Sequence, residues 1–168
     1  LYFKNLMIDS KNINRDFSVL IVDDDENKIY MNQMFLELNG ITPTVITGGD
    51  YLNKLILAIK GIHAVSKYPI IFLDENFEAS TRITGTEIAT NLVNGFKKQG
   101  GILIPFSNTP EDQLDSWNRE IKDSRAWMIV NDTRIPYEYF TTGDIHDICD
   151  NFSENISNGE SSSEIKIS

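Results

Sequence analysis

A chain of 168 residues with 40% hydrophobic content is long enough to bury one core and points to a single domain. Its formal net charge of -10 argues against nonspecific binding to nucleic acid or to an anionic membrane, which needs clustered Lys and Arg, but leaves an acidic cavity for a cation open. The lone Cys149 excludes an intrachain disulfide and suits a reducing, cytoplasmic compartment, and no apolar run approaches a bilayer span or a secretory leader.

In chain order, Leu1 is no initiator whereas Met7 could serve as one. "LYFKNL" therefore reads as a vector-derived remnant or the chain as a piece of a longer one, and residues 1–16 are treated as an N-terminal extension without functional weight. Residues 18–22 (SVLIV) form the first predicted strand, followed by a helix with Met31, Phe35 and Leu38 on its apolar face and a stop at Asn39-Gly40. Residues 44–47 (TVIT) precede a helix carrying Leu52, Leu55 and Ile56, with Gly61 after it. Residues 69–73 (PIIFL) lead through a polar loop to the ladders of Ile88, Ala89, Leu92, Val93 and Phe96. Residues 101–106 (GILIPF) precede a helix opened by Pro110 and running through Ile121. Residues 126–130 (AWMIV) precede a last helix marked by Ile145, Ile148, Cys149, Phe152 and Ile156. From Ser157 onward the chain is polar and reads as a flexible tail.

Continuous apolar strands are those covered on both faces. Five of them, alternating with helices, predict an α/β fold: a doubly wound, five-stranded parallel sheet with helices on both faces, spanning residues 17–156. Ligands of such sheets sit beyond the carboxyl ends of the strands. There the first strand delivers Asp23, Asp24 and Asp25, the third Asp74, Glu75 and Asn76, and the fourth Ser107, Asn108 and Thr109. Gathered carboxylates repel one another unless a cation intervenes. Mg²⁺ suits the set, since it takes a few carboxylate oxygens and is commonly completed by phosphate. Singly, each acidic loop could equally be a solvated turn or a helix cap. His63 and His146 join no constellation, and Cys149 lies on the apolar side of its helix.

Over residues 17–152 the chain resembles the receiver domain of two-component response regulators, whose fold is flavodoxin-like. "VLIVDDDEN" resembles the first strand and acidic pair, which falls on Asp23 and Asp24; "IIFLDENF" resembles the strand and loop of the phospho-accepting aspartate, which falls on Asp74; "ILIPFSN" resembles the fourth strand with its switch hydroxyl, which falls on Ser107. One insertion between Asp74 and Gly85 accounts for the slightly longer spacing. The resemblance implies Mg²⁺ held by Asp23, Asp24, Asp74 and the backbone carbonyl of Asn76. It also implies a histidine kinase or histidine phosphotransfer protein as phosphodonor and a downstream effector protein as target, with a second copy of the chain also allowed. Trp127 falls on either the aromatic switch position or the core.

Two features depart from the pattern. The Lys-Pro pair after the fifth strand is replaced by "NDTRIP", in which Arg134 is the candidate cation, and the proline shortly after the phospho-acceptor is replaced by Phe77 and a longer loop. A degenerate receiver that acts as an interaction module without phosphorylation is therefore one alternative reading. Another is a haloacid dehalogenase-like phosphatase, using the D-x-D spacing of Asp23 and Asp25 with Asp132 as a further acidic residue.

Overall fold

The structure, a computed structural model, describes residues 13–77, 83–131, 142–158 and 164–166. In order they form β1 (Phe17–Val22), α1 (Glu26–Leu38), β2 (Thr44–Ile46), α2 (Tyr51–Ala64), β3 (Tyr68–Leu73), α3 (Gly85–Gly95), β4 (Gly101–Pro105), α4 (Pro110–Ile121), β5 (Trp127–Asn131), α5 (Thr142–Asn158) and β6 (Glu164–Lys166). The sheet order is β2-β1-β3-β4-β5-β6, and every adjacent pair of strands is parallel. The five predicted strands are thus present in the 2-1-3-4-5 order of a flavodoxin-like sheet, with the order reversing at β1 and β3.

Strand alternation sorts the core into two layers. Val19, Ile21, Ile70, Phe72, Ile102, Ile104, Met128 and Val130 face Ile29 and Leu36 of α1 and Ile145, Ile148 and Phe152 of α5. Leu20, Val22, Ile71, Leu73, Leu103, Trp127 and Ile129 face α2, α3 and α4 through Leu55, Ile59, Ile88, Leu92, Leu114 and Trp117. A strand that buries both faces cannot alternate apolar with polar residues, hence the continuous runs in the sequence.

The structure departs from the sequence expectations in four places. On α1 the buried residues are Lys28, Ile29, Asn32 and Leu36, while Leu38 is 79% exposed and Met31 and Phe35 are half-buried. Apolar residues surround most of this helix, so periodicity does not select a face; packing of Ile29 and Leu36 against the sheet does. α2 continues through Gly61 to Ala64, a single glycine costing a helix only about 1 kcal/mol. β6 adds a three-residue edge strand within the segment read as polar tail, too short to leave a periodic signal. Residues 13–16 are helical and Ile13 joins the core, so regular structure also begins ahead of residue 17.

Candidate functional site

Val22 of β1 pairs with Leu73 of β3, and Leu73 pairs with Pro105 of β4. The next residues on the first two strands, Asp23 and Asp74, therefore stand side by side where the sheet order reverses. Asp23 is fully buried and Asp74 nearly so, at 0% and 6% exposure. With the half-buried Asp24 they form a carboxylate cluster in which each residue offers an oxygen within 4.8 Å of the others.

Backbone donors fix these side chains. Asp23 Oδ1 accepts from the amides of Asp24 and Asp25 at 2.8 and 2.9 Å, and Asp74 Oδ1 accepts from the Glu75 amide at 2.8 Å. Asp25 is occupied otherwise: its carboxylate caps α1, accepting from the amides of Asn27 and Lys28 at 3.0 and 3.3 Å. The second position of the D-x-D spacing is thus a helix cap, which weakens the phosphatase reading.

The charge between the carboxylates comes from Lys28, to which the sequence analysis gave no role. Its Nζ lies 3.0 Å from Asp23 Oδ2, 3.6 Å from Asp74 Oδ1 and 5.0 Å from the centre of the Phe106 ring, with the side chain only 3% exposed. Helical side chains lean toward the N-terminus, so a lysine in the first turn of α1 reaches back over the tip of β1. The signal in the sequence was its spacing: Lys28, Asn32 and Leu36 follow one another at intervals of four on one helix face.

Burial raises both buried acids. Desolvation first, and then the Asp23 charge, pushes the Asp74 carboxyl up to about 7, against the opposing pull of Lys28. Asp23 is also raised, chiefly by burial, with its two backbone donors and Lys28 offsetting part of the effect. Among the described residues, Asp23 Oδ2 is met by the Lys28 ion pair and by no other hydrogen-bond donor.

The loop after β3 folds back onto the site. Glu75 accepts from the Thr86 amide at 2.6 Å and from its hydroxyl at 2.7 and 2.8 Å, tying the start of α3 to the residue beside Asp74. Gly85 donates its amide to the Glu75 carbonyl at 2.9 Å. A Cβ at position 85 would overlap the Asp74 carbonyl oxygen, so the close approach requires glycine.

Ser107 is buried at the tip of β4, and its hydroxyl accepts from the Thr109 amide at 3.2 Å. Behind it, fully buried Gln113 of α4 donates to the Leu73 carbonyl at 2.7 Å and accepts from the Phe106 amide at 3.0 Å, joining the tips of β3 and β4. Asn76 is exposed and forms an isolated antiparallel bridge with Thr84. Arg134 and Asp132 lie outside the described residues. Trp127 is a core residue, its indole N–H donating to the Phe96 carbonyl at 3.0 Å.

The remaining singled-out residues are structural. His63 is bonded to the Gly100 carbonyl, and His146 pairs with Asp150. The Cys149 thiol is buried and pushed up to about 12, mainly by desolvation, leaving it unreactive as a nucleophile.

The residues fit a hard divalent cation. Three carboxylates offer oxygens within 4.8 Å of one another, and one of these carboxylates, buried Asp23, has an oxygen that among the described residues is met only by the Lys28 ammonium. Among the described residues no helix is long and apolar enough to cross a membrane. No family model and no curated protein matches the chain. Among solved structures, it is similar to the crystal structure of a two-component response regulator from Cytophaga hutchinsonii, with a TM-score of 0.50 and 18% identity, over 83% of this chain and 98% of that one. The protein therefore has the flavodoxin-like α/β fold of a receiver domain.

Proposed function

We propose that the protein is a receiver that accepts a phosphoryl group on Asp74 from a histidine kinase or histidine phosphotransfer protein and signals through protein contacts. One observation carries the reading: Asp23, Asp24 and Asp74 meet at the carboxyl edge of the sheet, at the reversal of strand order, with Ser107 at the neighbouring tip. A carboxylate oxygen of Asp74 attacks phosphorus while the P–N bond of the phosphohistidine breaks, the imidazole nitrogen keeping the electron pair, to give an acyl phosphate. Asp23, Asp24 and Asp74, with the Asn76 carbonyl, would hold Mg²⁺. When bound, that ion supplies neutralisation of the carboxylates and of the incoming phosphoryl oxygens.

The chain's own groups orient and respond. The Glu75 amide fixes Asp74, and the Glu75–Thr86 tie holds the loop behind it. The Ser107 hydroxyl turns from Thr109 toward a phosphoryl oxygen and draws the β4–α4 loop inward, and that displacement is the signal. Arg134 remains the candidate cation from the segment after β5. A protein partner finds apolar contact along α1, where Tyr30, Met34 and Leu38 lie exposed at intervals of four.

The test is phosphoryl incorporation from a small phosphodonor in Mg²⁺, followed by intact-protein mass spectrometry. Wild type is expected to gain one phosphoryl group and Asp74→Asn none. Undiminished labelling of the variant removes Asp74 from its role. A wild type that folds and binds partners yet is never labelled favours the degenerate receiver, for which the absent Lys-Pro pair is the motive. Steady turnover of a generic aryl phosphate would instead favour a phosphatase.

A further inference from the structure

Asp23 Oδ2 is buried, and among the described residues its partner is the ammonium of Lys28, 3.0 Å away. The same ammonium lies 3.6 Å from Asp74 Oδ1, so one buried cation of the chain already bridges two carboxylates of the metal-binding group. We propose that Lys28 and a divalent cation compete for this position, so that metal uptake requires the ammonium to leave Asp23 and Asp74. The inference rests on the proposed metal site and adds a chain-borne competitor to it.

Two physical arguments support the exchange. The first is access. Asp23 Oδ1 is already engaged by two backbone amides, so Oδ2 is the oxygen left for an ion, and its neighbouring space holds Lys28 Nζ. Mg²⁺ bonds oxygen at about 2.1 Å in an octahedron, which places its oxygen ligands roughly 3–4 Å from one another. Carboxylate oxygens within 4.8 Å of one another are placed to close on one ion, in space that the ammonium borders. The second is charge. Three carboxylates and one ammonium leave a net deficit of positive charge, but placing a divalent ion beside a retained buried ammonium sets two cations against each other at low dielectric.

The exchange also has a mechanical side. Lys28 sits in the first turn of α1, its amide bound to the Asp25 cap, its carbonyl accepting from Asn32 at 2.8 Å, and its ammonium over Phe106 at the end of β4. Its withdrawal frees the face of Phe106 next to Ser107. Metal entry is thereby coupled to the loop that carries the switch hydroxyl, before any phosphoryl group arrives.

The test compares wild type with Lys28→Met, which keeps the length and apolar stem of the side chain and removes the charge. Calorimetric titration with Mg²⁺ or Mn²⁺ is expected to show one site in both proteins, bound roughly tenfold or more tightly by Lys28→Met. Metal-free Lys28→Met is expected to melt below wild type and to gain more in melting temperature from saturating Mg²⁺. Equal or weaker affinity in a folded Lys28→Met overturns the competition and leaves the proposed function standing. Absence of uptake by both proteins overturns the metal site on which both proposals rest. Should Lys28→Met fail to fold, wild type with isotope-labelled lysine decides: the Lys28 side-chain resonances are expected to move on adding Mg²⁺, and unmoved resonances at saturation overturn the exchange.

Discussion

Asp74 is a buried carboxyl set against a second buried carboxyl, with the Lys28 ammonium between them. Its folded-state value near 7 lies above the ordinary 3.8, and the sign of the consequence follows from proton counting. Between those values the folded chain holds a proton that the unfolded chain gives up, so stability falls as pH rises through that window and levels off above about 7. Asp74→Asn removes this group's contribution. Urea unfolding without divalent ions is expected to show the variant gaining on wild type by on the order of 1–3 kcal/mol between pH 5 and pH 8. A difference between the two proteins that does not change with pH would contradict the raised carboxyl. Gly85 is the other single residue on which the site depends. Gly85→Ala pushes a methyl group into the Asp74 carbonyl, where backbone rather than a flexible side chain must yield. A loss of about 2 kcal/mol or more is expected, together with weaker metal binding, and a stability within about 0.5 kcal/mol of wild type would contradict it.

Among the elements, α4 does more than cover the sheet. It carries Gln113, whose amide joins the Leu73 carbonyl to the Phe106 amide and holds the tips of β3 and β4 at their spacing. Gln113→Leu keeps the volume and removes both bonds, with an expected cost of about 1–3 kcal/mol in chemical denaturation. The cost is partly limited because the Phe106 amide also reaches the Leu73 carbonyl directly at 3.1 Å. An unchanged unfolding midpoint would show that the brace carries no load. Neither Gln113 nor Lys28 carries a sequence signal of its partner. Each stands on the buried face of a helix, Gln113 with Trp117 and Ile121, Lys28 with Ile29, Asn32 and Leu36. A sequence shows that such a residue is polar but not that its partner lies on a strand tip far along the chain. The strands were legible because burial on both faces writes a continuous apolar run. The rotation of α1 was not, because Tyr30, Met31, Met34, Phe35 and Leu38 spread around it and only tertiary contact selects which turn inward.

At the scale of the molecule, the fold is a device for bringing distant residues to one edge. Asp23 and Asp74 are separated by two helices and two strands, yet in-register pairing of Val22 with Leu73 makes them neighbours. That gathering was legible in advance, since parallel strands deliver their carboxyl ends to a common rim and three of those ends are polar. The site's internal cation was not, because a lysine in a first helical turn ordinarily reaches water. The most direct measurement of the central claim is the position of the phosphoryl group. After treatment with a small phosphodonor in Mg²⁺, borohydride reduction converts an aspartyl phosphate to homoserine, which peptide mapping locates. The proposed function predicts homoserine at position 74 alone and none when Mg²⁺ is withheld. Homoserine at another position, or none in the presence of Mg²⁺, would contradict it.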